Sequence, residues 1–361
     1  FFRPSLTLAR VMFAPRPWLR GQALCAMAVR RFATASGSGA ARTAFLYHAD
    51  FLQHQTGAGH FECPERLTTI LDQLRSDGLW PRLLHHSPRL ADRSTVQLVH
   101  DPDYVHTVEE DIEKGRYYLS TGDTILSPGT WKAALRAAGA AADAVDLVLG
   151  GQARNAFCAV RPPGHHATPA RGMGFCVFNN IAVAARYAQR HHGVEKVLIV
   201  DWDYHHGNGT QDAFYEDPSV LQFHTHEYGA YPGTGHPLER GEGAAEGRVL
   251  NFPVPRGTGD AEYLRLYEDK LVPAARQFQP DLLLVSAGYD AHVEDPLGTM
   301  GLTDNGFAGL ARLLLRIAAE HCDGRLIMFL EGGYAVHAQA RSVSATLKAM
   351  LEAGSSTGAQ R

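Results

Sequence analysis

The chain has 361 residues, 45% hydrophobic and 20% charged, with a formal net charge of −4, a globular composition long enough for one large domain or two small ones. Its five cysteines (Cys25, Cys63, Cys158, Cys176, Cys322) are odd in number and form no C-x-x-C pair. They therefore argue against a disulfide framework or a thiolate zinc site and for a reducing, intracellular compartment. No run approaches the roughly 18 apolar residues of a membrane-spanning helix, so no membrane partner is expected.

Residues 1–42 carry seven arginines (Arg3, Arg10, Arg16, Arg20, Arg30, Arg31, Arg42), and no acidic residue precedes Asp50. That is transit-peptide composition. The chain opens on Phe1 rather than Met, which reads as a fragment or a processed form, and Arg31-Phe32-Ala33-Thr34 is a candidate processing region. The expectation is a disordered tail that directs the protein to a mitochondrion or plastid, with the mature chain starting near Ala33; a tail without targeting function would leave it in the cytoplasm. A secretory signal fits less well, because the apolar stretch Ala23–Val29 is short and is followed by Arg30-Arg31. Without the seven arginines, residues 43–361 hold 27 basic against 38 acidic residues, a formal charge of −11. Such a body repels nucleic acid and favours cationic substrates or partners, so no direct nucleic-acid binding is expected.

Beyond the tail, apolar runs of strand length alternate with helical segments, the pattern of an α/β domain with a largely parallel sheet. Strands are expected at Ala44–Tyr47, Ala156–Val160, Val197–Val200, Val220–Phe223, Leu282–Ser286 and Leu326–Leu330. Uninterrupted runs such as Val197-Leu198-Ile199-Val200 indicate strands covered on both faces. Helices are expected at Glu65–Arg75, at Trp131–Leu149 before Gly150-Gly151, and at Ile181–Arg190, Ala261–Phe278 and Asp304–Glu320. No internal repeat or linker divides 43–355, and the last residues, 356–361, read as a frayed end.

Four strand ends carry unusual polar strings: Arg161-Pro162-Pro163-Gly164-His165-His166, Asp201–Gly209, Ala287-Gly288-Tyr289-Asp290 and Glu331-Gly332-Gly333-Tyr334. In a parallel sheet the carboxyl ends of the strands are where ligands bind, so these strings should converge on one crevice. Asp203 and His205, at i and i+2, can face one side of an extended segment, and Asp290 could supply a third ligand. Two carboxylates and one imidazole leave a position open for water, as a catalytic zinc site requires. Taken alone, the same string also fits a polar loop with capping aspartates. His165-His166, held after Pro-Pro-Gly, could divide general-base and general-acid work if carboxylates orient them. The doublets His85-His86 and His191-His192 read as solvated surface beside helix ends with no acidic cluster. Tyr334 could donate to a carbonyl oxygen becoming an oxyanion, or could be a buried tyrosine with a structural bond.

Together these segments resemble the histone deacetylase family, in particular its class II members and bacterial relatives that include acetylpolyamine amidohydrolases. The resemblance covers most of residues 44–340. Its strings are Pro162–His166, Gly174-Phe175-Cys176-Val177-Phe178-Asn179-Asn180, Asp201–Gly209, Pro232-Gly233-Thr234-Gly235 and Glu331–Tyr334, with Cys63-Pro64-Glu65-Arg66 and Asp295-Pro296-Leu297-Gly298 in support. It implies an arginase/deacetylase-like α/β fold: a single domain over 43–355, with a central, mainly parallel sheet and helices on both faces. It further implies one zinc ion bound by Asp203, His205 and Asp290, a catalytic pair His165 and His166, Asp201 orienting His165, and Asn208 as the class II partner of His166. Tyr334 would polarise the carbonyl, Phe175 and Tyr231 would flank the acyl-lysine chain, and Gly174 would contact it through its backbone. A potassium ion near Asp201, held largely by backbone carbonyls, is also implied.

The implied activity is hydrolysis of N-acetyl or N-acyl lysine in proteins, with small acetylated amines such as acetylpolyamines as the alternative substrates. Polyamine-selective relatives place an acidic residue immediately after the proline that matches Pro296. This chain has Leu297 there, although Glu294 and Asp295 lie close by. A dimanganese ureohydrolase of the related arginase fold is disfavoured, because the chain has neither a Gly-Gly-Asp-His segment nor a second Asp-x-Asp block. A catalytically dead acyl-lysine binding module is disfavoured by the presence of Tyr334 and both histidines.

Overall fold

The structure, a computed structural model, describes residues 42–355. The expected tail, apart from Arg42, and the segment 356–361 lie outside the described residues. Eight strands form one sheet, with every neighbouring pair parallel: β1 (Thr43–Leu46), β2 (Leu84–His86), β3 (Asn155–Cys158), β4 (Val197–Asp201), β5 (Val220–Glu227), β6 (Val249–Val254), β7 (Leu282–Ala287) and β8 (Leu326–Leu330). Their order across the sheet is β2-β1-β3-β8-β7-β4-β5-β6. The six apolar runs are all strands and, apart from the last residue of β5, are buried along their length, which is why they lack alternation: crossover helices shield both faces.

Between the strands lie α1 (Glu65–Ser76), α2 (Arg93–Val96), α3 (Pro102–Glu113), α4 (Thr130–Leu149), α5 (Asn180–His192), α6 (Asn208–Ala213), α7 (Asp260–Leu266), α8 (Val272–Phe278), α9 (Asp304–His321) and α10 (Val336–Ser355). One layer is built on α4 and α5, and the other on α1, α10 and α9 packed in succession. Local chemistry sets the boundaries. The Asn179 side chain accepts the Ala182 amide and starts α5, Gly193 ends it in the left-handed conformation, and Thr303 caps α9 through the Gly306 amide.

Three details differ from expectation. The segment read as one helix over 261–278 is α7 and α8 joined by a wide π-type turn at Tyr267–Leu271. Pro273, at the start of α8, has no amide hydrogen to continue a regular ladder. His85-His86 belongs to edge strand β2 rather than to a helix end. Neither of the two doublets lacks acids, since His86 Nε2 meets Asp143 at 3.0 Å and His192 Nε2 meets Asp146 at 2.7 Å, tying both to the C-terminal half of α4.

Candidate active site

Because the strands are parallel, β3, β4, β7 and β8 all point their carboxyl ends to one edge, and the four polar strings emerge there. After Asp201 the strand ends and the chain bends through Asp203–His205. Trp202 and Tyr204 turn into the core, while Asp203 and His205 turn toward the crevice. Asp290 arrives three residues beyond β7. One ligand atom each from Asp203, His205 and Asp290 lies within 4.8 Å of the others. His205 Nδ1 stands 3.2 Å from Asp203 Oδ1 and 3.0 Å from Asp290 Oδ2. Backbone amides hold the remaining carboxylate lone pairs. Gly332 donates to Asp203 Oδ2 at 2.8 Å, and Tyr204 donates to Asp290 Oδ1 at 2.8 Å. A Cβ on Gly332 would overlap both carboxylates, so glycine is required there.

Two fully buried carboxylates this close cannot ionise independently. Burial, reinforced by Asp203, raises Asp290 to about 7, whereas burial at Asp203 is outweighed by His165 and His205, which hold it well below the usual carboxylate range. A cation between the three groups would relieve this repulsion, and the oxygen and imidazole donors suit zinc.

The histidine pair sits beside this triad, with ring centroids 4.0 Å apart and both side chains buried. His165 Nδ1 is 3.0 Å from Asp201 Oδ2, and His166 Nδ1 is 2.8 Å from Asn208 Oδ1. Burial disfavours charge on either ring, but the outcomes diverge. Asp203 and Asp201 raise His165 to about 10, while the positive charges of His165 and His205 add to burial and push His166 well below its ordinary value. The surroundings thus bias His165 toward its charged form and His166 toward its neutral one, with the Nδ1–H of His166 committed to Asn208 and Nε2 left to take a proton.

Tyr334 is 9% exposed and its ring lies 5.9 Å from Phe175 and 6.4 Å from Phe61. Burial and Asp290 raise its pKa well above the ordinary value, so the phenol stays a donor. Among the described residues its hydroxyl makes no hydrogen bond, unlike a tyrosine kept for a structural one. The mouth is framed by Phe175, at φ 68, and by Tyr231, whose ring is 5.2 Å from His166. Gly174 lies between them at φ 56, where a Cβ would overlap the His166 ring. Leu297 is half-buried, and its amide donates to Asp295, whose other oxygen takes the Tyr334 amide.

Several residues of the site carry no role in the sequence reading. Asp123 accepts the Gly174 amide at 2.8 Å and faces the Tyr231 hydroxyl at 3.4 Å, bracing both sides of the mouth. Glu331 accepts the Gly164 and His165 amides at 2.7 and 3.1 Å and so fixes the histidine loop to β8. Behind Tyr334, Glu62, Arg66 and Arg161 form a fully buried ion cluster, with Arg66 also donating to the carbonyls of Gly333 and Glu331. The one sequence signal was the placement of Glu62, Arg66, Arg161 and Glu331 inside or beside family strings.

The histone deacetylase domain model matches residues 60–350. A chloroplastic histone deacetylase 10 of Oryza sativa subsp. japonica is 45% identical over 310 residues, covering 81% of this chain and 70% of that protein. The polyamine deacetylase HDAC10 of Homo sapiens is 41% identical over 326 residues, covering 86% of this chain and 48% of that protein. Among solved structures, the HD domain of HDA15 superposes with a TM-score of 0.81 at 37% identity, over 87% of this chain and 89% of that one.

Proposed function

The chain belongs to the histone deacetylase family, and we propose that it is a zinc-dependent hydrolase that cleaves the acyl amide of N-acetyl-lysine, or related N-acyl-lysines, in proteins. The observation that carries this reading is the convergence of the Asp203/His205/Asp290 donor set, the differently charged histidine pair and a free tyrosine hydroxyl on one sheet edge.

Zinc held by Asp203, His205 and Asp290 would supply Lewis acidity and bring the pKa of a water to about 7. His166 Nε2 takes the proton of the attacking water, since the ring is neutral and its other nitrogen is bonded to Asn208. The Tyr334 hydroxyl donates to the carbonyl oxygen as negative charge builds on it. The imidazolium of His165, held by Asp201, keeps positive charge beside that oxygen, and a protonated histidine then gives its proton to the leaving amine. Phe175 and Tyr231 flank the lysine methylenes, with Gly174 leaving room for them. A potassium ion near Asp201, held largely by backbone carbonyls, is implied by the family resemblance alone.

Acetylpolyamines are the second reading, favoured by the human relative's name. Their second cation calls for a free carboxylate at the rim. Here Leu297 follows Pro296, Glu294 is paired with Arg341 at 2.6 Å, and Asp295 is occupied by backbone amides. Protein acyl-lysine is therefore the primary assignment. A dimanganese site has less support, because the described residues contain one such donor group. An inert binding module would not need the wired histidines and the free phenol. A plastid location rests on the arginine-rich, acid-free tail and on the chloroplastic name of the rice relative.

The test is to strip the purified protein of metal, restore zinc, and profile acetyl-lysine peptides, longer acyl-lysines and acetylspermidine. Activity should vanish and return with the metal, and peptides should be preferred. Undiminished turnover in fully demetallated protein would overturn the metal-dependent reading. Acetylspermidine favoured by more than about tenfold would overturn the substrate assignment.

A further inference from the structure

The tyrosine loop is anchored upstream at Gly332, whose amide donates to Asp203 at 2.8 Å and whose carbonyl accepts the Tyr289 amide at 3.0 Å. Gly332 and Gly333 precede Tyr334, Gly333 sits at φ 117, and α10 begins only at Val336. Arg66 Nε grips the Gly333 carbonyl at 2.7 Å. Past Gly333, a single carboxylate takes the amides of Tyr334 and Ala335. Asp295, 6% exposed, accepts the amides of Tyr334 at 2.6 Å and Ala335 at 3.1 Å on Oδ2, and those of Leu297 at 3.0 Å and Gly298 at 3.3 Å on Oδ1. Beside it, Glu294 is clamped to Arg341 on α10.

We propose that Asp295 is a positioning residue for Tyr334, fixing the peptide from which the phenol projects to the loop that carries Leu297. Four backbone donors, two on each oxygen, match an ionised carboxylate and little else. An asparagine has one carbonyl oxygen, so whichever way it turns its NH2 group confronts two N–H donors. The negative charge also sits at the amino end of a 20-residue helix, where unpaired amides and the helix dipole favour it. Releasing either pair lets a diglycine-led loop shift, and a displacement of about 1 Å at a reacting group costs roughly a hundredfold in rate. The inference rests on the assignment of Tyr334 as the oxyanion donor.

The test is a double-mutant cycle on the zinc-loaded full chain with an acetyl-lysine peptide: Asp295→Asn, Tyr334→Phe and the pair. Asp295→Asn is expected to lower kcat about 10- to 100-fold while metal content and KM stay within about twofold. In the Tyr334→Phe background it should cost less than about threefold, because the group it positions is gone. An equal loss in both backgrounds, or an undiminished kcat in Asp295→Asn, would overturn the inference. Failure of the underlying assignment shows separately, as an unaffected rate in Tyr334→Phe alone. If Asp295→Asn does not fold, Asp295→Glu keeps two acceptor oxygens one methylene further out. Its smaller loss should likewise disappear without the phenol, and additivity would again count against the proposal.

Discussion

His166 donates from Nδ1 to the amide oxygen of Asn208 across 2.8 Å, and that partner, unlike a carboxylate, carries no charge. The bond fixes the tautomer while doing little to stabilise an imidazolium. With burial and the neighbouring positive charge of His165 opposing protonation, the ring stays neutral and ready as a base. Asn208→Asp should therefore raise the pKa of His166 and move the acid limb of the kcat/KM profile to higher pH, by about one unit for a carboxylate in contact. An acid limb that does not move would show that His166 is not the group titrating.

Tyr334→Phe should retain metal and fold, as followed by metal analysis and melting temperature, because among the described residues the hydroxyl makes no bond whose loss could be felt. Turnover should fall about a hundred- to a thousandfold, the usual effect of deleting one oxyanion donor. A rate within a few-fold of the parent would exclude the role.

Leu297→Glu places a carboxylate immediately after Pro296, on the loop joined through Asp295 to the Tyr334 backbone. The ratio of kcat/KM for acetylspermidine to that for an acetyl-lysine peptide should rise by about tenfold or more, because only the polyamine brings a second cation to pair with it. An unchanged ratio would mean that selection occurs elsewhere on the rim.

Acid should weaken the fold through histidines buried neutral. His100 Nε2 accepts the Asn179 amide at 2.8 Å, a bond that protonation destroys, and burial lowers its pKa to about 4. Between about 4 and the unfolded value of 6.5 the unfolded chain binds the extra proton. Stability is therefore complete above 6.5 and declines as pH falls through that window, by on the order of 3 kcal/mol for this group. Glutamine can still accept the Asn179 amide. His100→Gln should thus lose about 2 kcal/mol less than the parent between pH 7 and 4.5 in chemical denaturation. Parallel losses in the two proteins would refute the assignment.

Much of this architecture was legible because burial on both faces turns central strands into unbroken apolar runs, and because the residue types needed for metal and proton chemistry stand out where such runs stop. Edge strands gave no such sign. β2 is three residues long and includes the exposed His85, and β6 carries Asn251 and Pro253. α3, by contrast, carries legible signs, since Pro102 opens it and Tyr104, Val105, Val108 and Ile112 recur at helical spacing. The charged interior was hidden for a different reason. Glu62, Arg161 and Glu331 each look like surface residues until the fold brings together partners 99 or more positions apart. Asp295 was visible in sequence as an acid near the rim, but its consumption by four amides became apparent only once the Tyr334 loop was seen against it.

The strand order also governs how the protein can be made. β8, the last of the described strands in sequence order, lies inside the sheet between β3 and β7, with Met328 paired to Phe157 on one side and Val285 on the other. Until residue 330 has left the ribosome, β2-β1-β3 and β7-β4-β5-β6 are two separate half-sheets with raw edges facing a gap one strand wide. Closure of the sheet must therefore wait until β8 has been synthesised, and the waiting edges are what a chaperone would need to shield.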